Sequence, residues 1–146
     1  MIDDAVRGYA SGLGMASGVL GGLIAITPAA GYVTPLAALA FGVLGAVAGY
    51  LGVVMLKRLL GVDDLLDVSG AHGVAGAAGS VAVGVFATTQ LKASFGVEAL
   101  ATGIIAVYAF IVTLALVAAL RAIGTWRVAL DEELRGLDVP QHAESV

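Results

Sequence analysis

Four long apolar stretches dominate this sequence and constrain its fold more than any other feature. They cover about residues 9–28, 35–56, 65–88 and 97–125. A helix needs about 20 mostly apolar residues to cross the hydrocarbon core of a bilayer. We therefore predict an all-α membrane protein with four transmembrane helices. The membrane domain is expected to cover residues 1–126, followed by a cytoplasmic tail over residues 127–146.

The composition excludes several classes of protein. Hydrophobic residues make up 60% of the chain and charged residues only 12%, whereas soluble domains carry about 25% charged residues. The sequence contains 0 cysteines and 2 histidines, which removes disulfides and thiolate metal sites. We find no nucleotide-binding motif and no basic stripe. We therefore expect no metal, no cofactor, no nucleic acid and no enzymatic activity.

The cationic residues predict the orientation in the membrane, because short cytoplasmic loops are enriched in lysine and arginine. In a four-span arrangement one side receives Arg7, Lys57, Arg58, Arg121, Arg127 and Arg135, and the other side receives Lys92. Both termini should therefore face the cytoplasm from a plasma or inner membrane. Asp3 and Asp4 precede Arg7, which is the wrong charge order for a cleaved secretory signal.

Glycine spacing predicts close helix packing in lipid. Glycines recur every four residues in the first two stretches, at Gly14, Gly18 and Gly22 and at Gly45 and Gly49. In the third stretch they recur every three residues, at Gly70, Gly73, Gly76 and Gly79. Ordinary helix packing accounts for nearly all of these glycines. The shorter period predicts that neighbouring helices approach the third helix very closely.

His72 is the candidate functional residue, because it lies deep inside the third apolar stretch. A charged group at the centre of a bilayer costs about 2.5–3.5 kcal/mol on insertion scales. The ring is either a neutral group that contributes packing specificity or a group that holds and relays a proton near neutral pH. Asp63, Asp64 and Asp67 precede it at the helix start, where carboxylates cap free N–H groups. His142 is interpreted as a solvated tail residue.

Three segments in order resemble the ammonium transporter family (Amt, Mep and Rh proteins). The first is GLIAITPAAGYV at residues 22–33. The second is DDLLDVSGAHG at residues 63–73, followed by GVFA at residues 84–87. The third is the tail, with Arg127-Val128, Glu132-Glu133, Gly136-Leu137-Asp138 and His142-Ala143-Glu144.

The resemblance implies that this chain corresponds to the last four of the family's eleven helices. Family members are built from two five-helix repeats of inverted topology, with the conduit at their interface. It implies that His72 is one member of a twin-histidine pair in the middle of the pore and relays protons during ammonium transport. Val68 and Thr27 would line or border the pore, and Asp64 would cap the helix that carries His72. On this resemblance the seven amino-terminal helices and the partner histidine are absent from the chain.

The resemblance also implies the partners: ammonium or ammonia, membrane lipid, a missing amino-terminal half or neighbouring subunits of a trimer, and a PII-type signalling protein at the tail. The sequence departs from the family at Ser69, where a phenylalanine is usual, and at Ala143, where a glycine is usual. Two alternatives stay open. The chain is a noncatalytic assembly or regulatory module that pairs with a complementary half, or it is an inactive truncated fragment.

Overall fold

All regular structure in the described part of the chain is helical, which confirms the predicted all-α class. The computed structural model describes residues 12–61, 64, 66–88, 93–124 and 128–136, except for the side chains of Leu13 and Arg135. The helices are α1 (Gly12–Ile26) with a 3-10 turn (Thr27–Ala29), α2 (Pro35–Leu60), a π-helical segment (Ser69–Val74) continuing into α3 (Ala75–Phe86), α4 (Phe95–Ile123) and α5 (Leu130–Arg135).

The ends of α2 follow from local sequence. The Thr34 side chain accepts a hydrogen bond of 3.3 Å from the Ala37 N–H, and Pro35 occupies the first helical position, where its missing N–H would have no helical partner. Gly61 ends the helix with φ at 60° and donates its N–H to Leu56 O. This left-handed conformation is typical of glycine just beyond a helix.

Three helices are long and apolar enough to cross a membrane: Pro35–Leu60, Ser69–Phe86 and Phe95–Ile123. The helix Gly14–Ala29 is also apolar but shorter within the described residues. The first helix, the second and the π-helical segment with α3 lie within one compact unit, Met1–Ile104, and a second unit covers Ile105–Val146. No residue of α4 is buried.

Glycine contacts hold α1, α2 and α3 together. Gly21 of α1 lies against Gly45 of α2, so a Cβ on Gly21 would come within 2.7 Å of Gly45 O. Gly79 of α3 approaches the Ala25 backbone of α1 just as tightly. Larger side chains pack beyond these contacts, where the rings of Phe41 and Phe86 meet edge to face with centroids 5.7 Å apart.

The expectation for the three-residue glycine period is correct at two of its four positions. A neighbouring backbone crowds Gly70 and Gly79. A Cβ added to Gly76 would lie at an ordinary distance of 3.6 Å from the Ile24 side chain, and Gly73 faces open space. Only some members of the period lie on the packed face, because a stripe of period three drifts around a helix.

The division between membrane domain and tail stays a prediction, since the tail is described only over residues 128–136. The orientation of the termini also stays a prediction. Arg7, Lys92 and Arg127 lie outside the described residues, as do Asp63 and His142.

Candidate functional site

His72 lies in the π-helical segment at the start of the third span. The segment covers Ser69–Val74, and it ends where the Ala75 N–H bonds to Gly70 O, five residues earlier. The backbone turns of such segments are wider than those of an α-helix. They occur mostly as single turns inside α-helices, frequently at functional sites. Gly70 and Ala71 are buried, while His72 and Gly73 are exposed. The imidazole therefore lies on the open face of the segment.

The buried face of the segment packs against α2 through glycines on both sides. A Cβ on Gly70 would overlap the backbone nitrogen of Val53. In the reverse direction, Val74 fills the space beside Gly52, where an added Cβ would lie 2.7 Å from the Val74 Cβ. No longer side chain fits at either glycine without movement of the backbone, so α2 fixes which face of the segment is open.

The His72 ring has no hydrogen-bond partner among the described residues. Both ring nitrogens are thus available to groups from outside this part of the chain. The described residues also contain no group of three or more histidine, cysteine, aspartate or glutamate side chains that could hold a metal ion.

The Asp64 carboxylate lies at the amino-terminal end of the same helix. Its oxygens accept hydrogen bonds from the Val68 N–H at 3.1 Å and the Ser69 N–H at 2.6 Å. These N–H groups have no partner within the first turn of a helix. The bond from the Ser69 N–H is the main cause that lowers the pKa of the Asp64 carboxyl, and lost hydration opposes it. The Ser69 hydroxyl, the Val68 N–H and the charge of Lys57 lower the pKa further.

An ion pair joins α2 to the start of the π-helical segment. Lys57 Nζ lies 2.5 Å from Asp67 Oδ1, and this oxygen is buried without an aligned hydrogen bond among the described residues. Asp67 has φ at 58°, a left-handed conformation that is uncommon for residues other than glycine and for which aspartate is enriched.

The structure brings two of the predicted pore residues onto one face but separates the third. Val68 is 47% exposed and lies four residues before His72, the spacing of neighbours on a helix surface. Thr27 lies beyond the end of α1, where its hydroxyl donates to Leu23 O at 2.8 Å. Ala25 is level with Gly79, which lies about 10 Å along the helix from His72 at 1.5 Å per residue.

Sequence reasoning missed three features of this site: the π-helical segment, the left-handed Asp67 and the pairing of Lys57 with Asp67. The glycines at positions 52 and 70 were the available signal for the π-helical segment. Each of them contacts a valine that is distant from it in sequence, Val74 and Val53 respectively. The other two features have only a weak signal, an aspartate one residue before the helix and a lysine in the preceding helix.

Comparisons with known proteins agree on one family. The model of the Ammonium Transporter Family matches residues 1–146. The ammonium transporter of Bacillus subtilis (strain 168) is 40% identical, over 90% of this chain and 36% of that protein. Ammonium transporter Amt1 of Archaeoglobus fulgidus is 38% identical, over 95% of this chain and 38% of that protein.

A solved structure has a similar fold. The chain superposes on a Sensor Amt Protein with a TM-score of 0.87 and 26% identity, covering 97% of this chain and 37% of that one. The chain thus spans about a third of the length of these relatives. Together with three helices long enough to cross a membrane, these matches identify an integral membrane protein. The chain belongs to the Ammonium Transporter Family.

Proposed function

We propose that this chain forms part of an assembly that carries ammonium or ammonia across a membrane, and that His72 relays protons in its pore. The transported substrate follows from the names of the relatives, which are ammonium transporters. Because the chain spans about a third of their length, the rest of the conduit must come from other helices.

The open position of His72 is the observation that carries the relay. Its helix is docked against α2 on the opposite face, and the ring has no hydrogen-bond partner among the described residues. A neutral imidazole carries one donor and one acceptor nitrogen, so it takes up a proton on one side and releases one on the other. The packing role would need a hydrogen-bond partner on a neighbouring helix, and the described helices supply none.

The other predicted residues take supporting roles in this proposal. Val68 adds an apolar wall beside His72 on the same face, which favours ammonia over its hydrated ion. Asp64 caps the helix and keeps its first turn in place, supported by the bonds from Val68 and Ser69. Thr27 borders the path at a different depth, where its hydroxyl already has an acceptor in Leu23 O.

Further partners complete the proposal. Lipid would cover α4, whose large apolar residues are exposed along its length, including Ile104, Phe110 and Leu116. Neighbouring subunits of a trimer and a PII-type signalling protein are proposed from the resemblance alone. His142 in the tail lies outside the described residues.

The relay is tested in a chimera in which this chain replaces the matching third of the Bacillus subtilis relative. The chimera is purified into liposomes, and charge movement is recorded after an ammonium jump. The unsubstituted chimera should give a current above that of empty liposomes. His72→Ala should abolish this current, because it removes one ring of the proposed relay and alanine cannot carry a proton.

The matched control is His142→Ala, which removes the second of the 2 histidines and should leave the current unchanged. An unaltered current in His72→Ala would contradict the relay role. A chimera that folds and inserts but carries no ammonium would contradict the proposed transport function.

A further inference from the structure

We infer that Lys57 and Asp67 are positioning residues for His72: their ion pair fixes the start of the π-helical segment and thereby the face on which the imidazole lies. The inference rests on the proposed function of His72. It assigns a role to a lysine on the preceding helix and to a strained aspartate.

Asp67 adopts a left-handed backbone conformation. Its φ of 58° brings a Cβ close to the following carbonyl oxygen, which is unfavourable for L-residues. Such a conformation persists only where surrounding interactions hold it. Here Asp67 O accepts the Ala71 N–H at 2.8 Å, and the side chain faces Lys57 at 2.5 Å. Asp67 is thus held at its backbone and at its carboxylate.

Three residues near the end of α2 contact the region around the π-helical segment. Lys57 lies in the last turn of this helix, and Val53 and Gly52 lie about one turn before it. Lys57 pairs with Asp67. Val53 lies against Gly70, and Gly52 lies against Val74. The end of α2 and the π-helical segment therefore run antiparallel to each other. α2 contacts the segment near its start, in its middle and at its end.

The direction of His72 depends on these contacts. The residue lies between the contacts at Gly70 and Val74, on the side away from α2. The wide turn accommodates the residues between Asp67 and Val74 while all three contacts are kept. Release of the first contact would let the segment wind into α-helical bonding. Ala71 would then turn away from the packed face and His72 would change its direction, because the residues that follow Gly70 would complete more of a turn.

Arg58 offers a matched comparison. It is the next residue along α2 and is exposed in the same last turn. No ion pair to Arg58 exists among the described residues. Removal of its charge therefore changes the net charge of this helix end as much as removal of the Lys57 charge does, without breaking the contact to Asp67.

The test uses single cysteines in the full chain, which has 0 cysteines of its own. Cysteine is placed at position 71, 72 or 73, and its alkylation rate with N-ethylmaleimide is measured in detergent micelles. Ala71→Cys is expected to react slowly because Ala71 is 6% exposed. His72→Cys and Gly73→Cys should react fast, since both positions are open.

Lys57→Met should reduce the ratio of the rate at position 72 to that at position 71 by about tenfold, because a buried thiol reacts only through local opening. Lys57→Arg should restore the original ratio, and Arg58→Met should leave it unchanged. Asp67→Asn should act like Lys57→Met, since asparagine tolerates the left-handed conformation but carries no charge.

The inference is overturned if Lys57→Met and Asp67→Asn both keep the original ratio. It is also overturned if Arg58→Met lowers the ratio as much as Lys57→Met. Failure of both charge-removing variants to fold, while Arg58→Met folds, would make the pair purely structural and would likewise overturn it. Alkylation does not involve transport, so these outcomes are separate from those that test the relay.

Discussion

Gly70 lies directly against Val53 of α2, so closely that a Cβ on this glycine would overlap the Val53 backbone nitrogen. Gly73 faces open space, with no atom within 4 Å of an added Cβ. The two glycines mark opposite faces of one π-helical segment, and His72 lies between them on the exposed side. The π-helical segment therefore exposes its imidazole because its opposite face is packed tightly against α2.

Gly70→Ala should destabilise the protein, because the neighbouring atom is backbone and gives way only if a helix moves. Overpacking of this kind costs about 1–3 kcal/mol. We expect a lower midpoint of thermal unfolding in detergent, measured by circular dichroism, together with reduced yield from membranes.

Gly73→Ala is the matched control, since it adds the same methyl group to the same segment. The midpoint should stay the same or rise, because alanine favours helix by about 1 kcal/mol over glycine. An equal loss in both variants would mean that the segment tolerates no added methyl group, and that the contact with Val53 is not the cause.

Gly61→Ala should lower the stability of the end of α2. At φ of 60°, a Cβ costs about 1–2 kcal/mol. Gly61→Asn should lose less, because asparagine tolerates this conformation. The comparison of the two unfolding midpoints checks the prediction, and equal midpoints for alanine and glycine would contradict it.

The helical fold could be predicted from the sequence because a helix that crosses hydrocarbon requires a continuous apolar stretch, which is visible locally. An apolar stretch must be about 20 residues long to span a bilayer as a helix, and Pro35 marks the start of α2 by its own backbone preference. The end of α2 at Leu60 lies beyond the predicted stretch 35–56. A capping carboxylate before this helix could also be predicted locally, since aspartates there suit bonds to free N–H groups, but only the family resemblance singled out Asp64 among the three.

The open face of the His72 helix could not be predicted in this way. Its direction depends on Val53 and Gly52, whose contacts with Gly70 and Val74 form only when two helices pack. A lone histidine in an apolar stretch is a functional candidate because an ionisable group costs free energy within a membrane. The direction in which its side chain points, however, is set by tertiary contacts. The position of Thr27 along the helix axis could not be predicted either, because it follows from the contact of Ala25 with Gly79.

Thr34→Ala should destabilise α2 by about 1 kcal/mol, the usual loss when an N-cap side chain is removed. The Thr34 hydroxyl satisfies the Ala37 N–H at 3.3 Å, and alanine leaves that donor to water. Thr34→Ser retains the hydroxyl and should unfold close to the unsubstituted protein. A serine variant as unstable as the alanine variant would assign the effect to the lost methyl group instead.

The stability contributed by Asp64 should depend on pH. The Ser69 N–H lowers the pKa of this carboxyl from 3.8, so protonation in the folded state requires stronger acid than in the unfolded state. The contribution is therefore complete above the unfolded pKa and is lost as the pH falls through the folded one.

Asp64→Ala should consequently lower the unfolding midpoint at neutral pH, and its difference from the unsubstituted protein should shrink below about pH 4. Asp64→Asn keeps an oxygen acceptor but cannot titrate, so the gap between the asparagine and alanine variants should be the same at every pH. Thermal unfolding in detergent from pH 7 to pH 3 measures both gaps. If the gap between aspartate and alanine stayed constant to the acid limit, the bonds at Val68 and Ser69 would not need the ionised carboxylate, and Asp64 would act through its shape alone.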